Sequence, residues 1–242
     1  MNIAVIVPYW CPDENTEALF QRCRDSIDSR FHILCREDKQ HAGVSVMRNK
    51  ALDYLFKNYE PDYITFLDAD DIMVPDAYEQ IIEAIKEEPE EQIIQLNHCR
   101  RRPNGVDFPK FFNKRGTYYL KNLPKFWVGV WNKVYKASLI KDIRFIPGLD
   151  HGEDEVFNLE CLAKARRIYC SERIHMTHCF DNPNSLSKTA KGTELINEQK
   201  ALLSLLERYS QTDPELCGAV RIRQAELWTN QIYQRTFGGT YE

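Results

Sequence analysis

Along residues 1–101, short continuous apolar runs alternate with stretches whose apolar residues recur every three or four positions. The run "IAVIVPYW" (3–10) is β-branched and unbroken, the pattern of a buried strand, and Pro8 is expected to stop it. In "NTEALFQRCRDSI" (15–27), Leu19, Cys23 and Ile27 share one helical face, with Asn15 or Thr16 as N-cap. A second strand, "RFHILCRED" (30–38), ends in acid. "VSVMRNKALDYLFKNY" (44–59) is amphipathic through Met47, Ala51, Leu52, Leu55 and Phe56. "YITFLDADD" (63–71) is a third strand, "DAYEQIIEAIKEE" (76–88) a helix and "EQIIQLNHCRR" (91–101) a fourth strand. Such alternation predicts an α/β sheet rich in parallel strands, with ligands bound beyond the carboxyl ends of the strands.

From 103 to 150 the pattern becomes irregular and aromatic. A helix "DEVFNLECLAKAR" (154–166) and a strand "RIYCSERIHMTHCF" (167–180) follow, then a polar loop, "DNPNSLSK". Two helices close the chain. One starts near Thr193 and carries Leu195, Leu202, Leu205 and Leu206; the other opens with Asp213 and Pro214, an N-cap and a first-turn proline, and stops at Gly238-Gly239.

Composition sharpens this picture little. A net charge of −4 advertises no global field for nucleic acid or anionic membrane. Local basic clusters such as Arg100–Arg102 read first as solvated turns. The eight cysteines are scattered without a C-x-x-C pair, the start resembles no signal peptide, and no run reaches the length of a membrane span. A reducing, cytoplasmic setting is expected.

The chemistry starts at "TFLDADD". Asp68, Asp70 and Asp71 follow an apolar strand within four residues, where like charges repel and raise one another's pKa. Oxygen ligands of this kind suit Mg²⁺ or Mn²⁺, although three aspartates also solvate an ordinary turn. A second acidic group, Glu153, Asp154 and Glu155 after Gly152, opens a helix. Dipole and capping effects alone favour acids there, yet a general base could sit among them.

Taken in order, these segments resemble the family 2 glycosyltransferases of the GT-A fold over roughly residues 2 to 190. "IAVIVPYW" looks like the opening strand of that family, "AGVSVMRNKALD" like its "GVSxARNxGL" helix start and "TFLDADDIMVPD" like its D-x-D segment. "VWNKVYKASLI" resembles the acceptor-side helix, "GEDEVFNLECLAKARRIYC" the "ED" helix and "HMTHCFDNPNSLSK" the closing loop. The resemblance implies an α/β GT-A fold, a mixed and mostly parallel sheet flanked by helices, with a C-terminal helical appendage. It implies a glycosyltransferase domain over 1–190, divided into a nucleotide-sugar half (1–101) and an acceptor half (102–190), with a helical extension over 191–242.

It also implies residue roles. Pro8 and Tyr9 would border the nucleotide of a nucleotide-diphosphate sugar, Asp38 or Glu37 would meet its base, and Arg48 its phosphate or base. Asp68 would contact the ribose or the metal, and Asp70 would bind a Mn²⁺ or Mg²⁺ ion that offsets the charge of the leaving diphosphate. Asp154 would deprotonate the acceptor hydroxyl, with inversion following from a single displacement, and Glu153 would hold the acceptor or orient the base. His178 matches a metal or diphosphate position, with a satisfied half-buried histidine as the alternative. Ser185 and Ser187 either touch the diphosphate or cap a turn. Trp127 and Trp131 stack on a sugar or belong to the core, and His151 and His175 are read as structural.

The family's "DDGSxDxT" element after the second strand is missing, which leaves the base open, and so is the Q-x-x-R-W element of processive synthases. A soluble enzyme making single transfers is therefore expected, with a glycan, a lipid-linked sugar or a modified nucleic acid as acceptor. The C-terminal helices could cover a sheet edge or the acceptor site, or form a homodimer contact. The rival classes are a nucleotidyltransferase, disfavoured because "PYWCPDEN" is neither glycine-rich nor basic, a non-catalytic nucleotide-sugar-binding protein, and a metal nuclease, disfavoured by the net acidity.

Overall fold

A computed structural model describes residues 1–101, 105, 107–110, 113–124, 128–182 and 192–237, with side chains left out for 192–195 and 227–237. Nine strands form one sheet among these residues. β1 (Ile3–Tyr9), β2 (His32–Glu37) and β3 (Tyr63–Phe66) are parallel neighbours. β8 (Lys133–Lys136) inserts antiparallel between β3 and β5 (Ile93–Arg101), and β5 runs parallel to β9 (Arg167–His178). The two-residue β4 (Ile72–Met73) closes that edge against β9, while β6 (Asp107–Lys110) and β7 (Gly116–Tyr119) add to β5 and β9. Mixed pairing flanked by helices and followed by C-terminal helices is the architecture expected from the sequence.

The alternation of β1 divides the core in two. Ala4 and Ile6 face one buried cluster, while Ile3, Val5 and Val7 face the other. On the first face lie α2 (Val44–Asn58), the single-turn α4 (Ala137–Ile140), α5 (Glu153–Ala165), α6 (Gly192–Tyr209) and α7 (Pro214–Phe237). The second face is covered by α1 (Glu14–Ser26) and α3 (Ala77–Glu87).

Three expectations need correcting. Pro8 does not stop β1, which continues to Tyr9 opposite Glu37. The ladder with β3 ends at Ile6, so beyond it β1 has a neighbour on one side only, and the missing N–H of Pro8 breaks no ladder with β3. The N-cap of α1 is Asp13 rather than Asn15 or Thr16. Its carboxylate accepts from the Thr16 amide at 2.8 Å, while the Thr16 hydroxyl accepts from the Asp13 amide at 3.3 Å. The stretch from 103 to 150 is not irregular throughout, since it supplies β6, β7, β8 and α4. The cap at Asp213 does form, its carboxylate accepting from the Leu216 amide at 3.0 Å. All eight cysteines are free. Among the described residues no helix is long and apolar enough to cross a membrane.

Candidate active site

The carboxyl end of β3, the N-terminal part of α2 and the first turn of α5 meet at one place, and Arg48 stands at its centre. This guanidinium, on the second turn of α2, is 3% exposed and lies 5.1 Å over the Phe145 ring. It donates to Asp154 at 2.6 Å, to Glu153 at 3.1 Å and to Asp68 at 3.0 Å. One cation thus gathers the acids of two segments 85 residues apart in the chain, from Asp68 to Glu153. Such charge-assisted bonds are the strong ones. Burial opposes the charge of Arg48, but the three carboxylates more than compensate and raise its pKa.

Local backbone explains how α2 arrives there. Asp38, just after β2, accepts from the amides of Ala42 and Gly43, both at 2.8 Å, and shapes the turn in which Gly43 takes φ +91°. A Cβ on Gly43 would also lie 2.8 Å from the carboxylate of Asp150. α5 begins at Gly152, φ +78°, and carries Glu153, Asp154 and Glu155 in its first turn. The second oxygen of Asp154 accepts from the Val130 amide at 3.1 Å. Burial raises the pKa of Asp154 against the pull of Arg48. Glu153 is pushed up to about 7, by burial first and then by the charge of Asp154. The Asp154 side chain keeps 19% of its surface open, so an incoming group can reach it.

The turn after β3 sends its three aspartates to separate partners. Asp68 reaches Arg48, and Asp70 accepts from the Asn182 side chain at 2.8 Å. Arg22 of α1 binds the Asp70 carbonyl at 2.7 Å and Asp181 at 2.5 Å, holding the segment after β9 against this turn. Asp71 is fully buried, accepts from the Cys179 amide at 2.8 Å and lies 3.1 Å from His178 Nδ1. Burial pushes the Asp71 carboxyl up to about 7. For His178, burial lowers the pKa, and the charges of Asp71, Asp68 and Asp70 outweigh it and raise the value overall. The His178 ring stacks on Trp131 with centroids 5.3 Å apart.

The residues expected to border a nucleotide lie on adjacent strand ends. Tyr9 stacks on Phe20 at 3.8 Å, and Glu37 pairs with Lys39 at 3.1 Å. Arg48, Asp68, Glu153 and Asp154 are therefore joined in one cluster, with Asp70 and His178 held beside it through the 68–71 turn. Asp38 stands apart, because both of its oxygens already serve the 42–43 backbone. Ser185, Ser187 and Trp127 lie outside the described residues.

Several residues at this place escaped sequence reasoning. Trp10, 49% exposed beyond β1, sets its ring edge against His41, a non-glycine residue at φ +53°. An aromatic residue directly after the strand was the available signal. Lys133 is buried in β8, donating to the Gly129 carbonyl and to Asn132 Oδ1 at 2.9 Å. Burial pushes its ammonium down to about 7, against the opposing charge of Asp154. Asp71 was visible only as one of three acids, with nothing in the pattern to mark it as the buried one.

Known proteins place this arrangement. The description "Glycosyl transferase family 2" matches residues 11–143, more than half of the chain. The glycosyltransferase GlyA of Streptococcus pneumoniae serotype 4 is 25% identical over 189 residues, 72% of this chain; the chain spans only 26% of that relative. A crystal structure of S. aureus TarS in complex with UDP-GlcNAc superposes with a TM-score of 0.72 at 17% identity, over 98% of this chain and 75% of that one. TarS in complex with UDP superposes at 0.60, again at 17% identity, over 100% of this chain and 93% of that one. At such identity the two structures speak for the fold alone. The family match carries the conclusion: this chain belongs to glycosyl transferase family 2.

Proposed function

We propose that the chain transfers one sugar from a nucleotide-diphosphate sugar to a hydroxyl acceptor with inversion, and that Asp154 is its general base. The observation carrying this reading is the Arg48 cluster, which brings Asp68 from the carboxyl edge of the sheet together with Glu153 and Asp154 from the start of α5. One oxygen of Asp154 is oriented by Arg48 and the other by the Val130 amide, and the exposed part faces whatever enters. The acceptor oxygen bonds to the anomeric carbon from the face opposite the diphosphate. The bond from that carbon to the diphosphate oxygen breaks with its electron pair, and the acceptor's proton passes to Asp154. A raised carboxyl pKa suits this work, because a base acts best when its pKa lies near the working pH. Glu153, beside it, holds the acceptor or orients the base.

Pro8, Tyr9, Trp10, Glu37 and Asp38 would border the nucleotide. Asp38 does so through the 42–43 backbone that it shapes as much as through its own carboxylate. UDP-GlcNAc in the TarS complex makes uridine diphosphate sugars the first donors to try.

A divalent ion would sit at the 68–71 turn, beside the cluster. Asp70 offers a carboxylate, and His178 a ring whose Nδ1 is fixed by the buried Asp71, the usual support behind a metal-binding imidazole. No three His, Cys, Asp or Glu side chains converge on one point among the described residues. Asp70, His178 and Asp68 would accordingly hold the ion together with diphosphate oxygens and water, as Mg²⁺ and Mn²⁺ prefer. Bound there, the ion would neutralise charge on the departing diphosphate.

Thermal unfolding with UDP, GDP, dTDP and CDP, each with and without Mn²⁺, tests the donor class, since a ligand of the native state raises the midpoint. One diphosphate is expected to act, and more strongly with metal. Asp154→Asn should keep that shift while losing about 100-fold or more in turnover, the range of a general base. Silence toward every diphosphate, or undiminished turnover in the variant, would overturn the proposal.

A further inference from the structure

The position of Glu153 and Asp154 depends on the loop that delivers α5, and the C-terminal helices grip that loop. We propose that Glu198, on α6, is a positioning residue for transfer: its carboxylate fixes the His151–Gly152 backbone from which Glu153 and Asp154 project. The inference rests on the reading of Asp154 as base. Glu198 touches no reacting group and acts through the loop.

Three observations support it. Glu198 is 1% exposed and lies 2.9 Å from His151 Nδ1. A Cβ built on Gly152 would sit 2.4 Å from the Cγ and Cδ of Glu198, so the helix closes directly over the residue that starts α5. Gly152 is held twice over, since its φ of +78° already favours glycine. One residue beyond Asp154, the buried Glu155 lies 2.7 Å from the Arg223 guanidinium of α7. The second C-terminal helix thus holds the same turn.

The opposite side of the loop is held by α2. The Ser45 hydroxyl donates to the Leu149 carbonyl at 3.1 Å, and Asp150 packs against Gly43. α2 is also the helix that carries Arg48. The loop is therefore clamped between the element that orients Asp154 by charge and the elements that orient it through the backbone. The charge of Glu198 is supported where it stands: against the cost of burial, His151 and Glu155 hold its carboxyl below the usual range, while burial pushes Glu155 up to about 8. Its partners are thus the residues on either side of the Gly152–Asp154 turn.

Glu198→Met, with Glu198→Gln as the conservative control, tests the proposal in the full chain. Hydrogen exchange followed over residues 149–157 reads positioning without any substrate. Exchange there should quicken about tenfold or more in Glu198→Met, as local opening becomes easier, while residues 63–71 stay as in wild type. Release of UDP from UDP-GlcNAc with Mn²⁺ reads the consequence. Turnover should fall about 10- to 100-fold, the penalty of a misplaced catalytic group, with UDP affinity within about twofold of wild type. Glu198→Gln, which still accepts a hydrogen bond from His151, should recover most of both. Unchanged exchange over 149–157 overturns the proposal, as does quickened exchange with wild-type turnover per folded molecule. A wild-type protein that binds no diphosphate and turns over no nucleotide sugar refutes the glycosyl-transfer reading instead, and exchange still decides the role of Glu198.

Discussion

Asp68, Asp70 and Asp71 tolerate one another because a single turn sends their carboxylates to an arginine, an asparagine and a histidine. From sequence all three looked alike. The spacing announced chemistry, but only the fold tells the half-exposed Asp68 and Asp70 from the buried Asp71, whose partners lie more than a hundred residues away. Arg48 was legible as a candidate through the helix-start motif. Its bonding to Glu153 and Asp154 was not, because chain separation hides which acids one guanidinium collects. This cluster predicts the pH dependence. Burial and the charge of Asp154 push Glu153 up to about 7, and Asp154 is raised as well. The charge of Asp154 is among the causes that raise Glu153, so Asp154 ionises first and Glu153 keeps its proton longer. A base works deprotonated, so the acidic limb of kcat/KM should lie above the ordinary carboxylate range. Asp68 is the charge that raises Asp154, and Asp68→Asn, which removes it, should move that limb to lower pH by on the order of one unit. A pH–rate profile of the two proteins checks this, and a limb that stays put or moves upward counts against Asp154 as the base.

At the scale of elements, the first half of the chain read well because its strands and helices carry unbroken periodicity. β2, α2, α3 and β5 lie within two residues of the stretches predicted for them, whereas β3 ends at Phe66, five residues short of the predicted 63–71. The strands that escaped, β4, β6, β7 and β8, are four residues long or shorter, too short for a period to register. β8 adds a second obstacle. Its Lys133 is a charged residue at a buried position in the middle of the sheet, which sequence patterning assigns to the surface. That lysine makes a prediction for β8 itself. Burial lowers the ammonium pKa from 10.5 to about 7. Between that value and the unfolded one the unfolded chain binds the extra proton, so this group adds stability as pH rises. Below about 7 the buried charge is a full burden. Lys133→Met, which keeps the stem and removes the charge, should be favoured over wild type most strongly near neutrality. Its advantage should shrink between about pH 7 and pH 9, with a slope of at most about 1.4 kcal/mol per pH unit. Urea unfolding of both proteins at the two pH values measures it, and a difference independent of pH would show that the lysine titrates normally.

Over the whole molecule, the C-terminal helices are the part whose existence could be read and whose purpose could not. Their caps and apolar spacing are local features, whereas an apolar helix face can meet any complementary surface, and nothing in 191–242 names the surface it meets. In the folded chain that surface is the principal core. Leu202 and Leu205 of α6 and Leu216, Ala219 and Val220 of α7 are buried in one cluster with Val156, Phe157 and Leu159 of α5 and with Ala4 and Ile6 of β1. Arg166, just past α5, adds a tie to Asp213 and Glu215 at the start of α7. The site-bearing helix is therefore packed between the sheet and the C-terminal pair, and the sequence-based boundary at 190 cuts through shared packing. Burying those five side chains is worth of order 10 kcal/mol, with extended-chain areas as the upper bound. That is the size of the entire stability of an ordinary domain. A chain ending at 190 is thus expected to lose cooperative unfolding, shown by missing near-ultraviolet circular dichroism and by strong binding of a hydrophobic dye. Should the shortened chain instead unfold cooperatively within about 5 °C of the full one, the helices would be an appendage. The shared cluster would then contribute no more than about 1–2 kcal/mol by the usual conversion for a chain of this size.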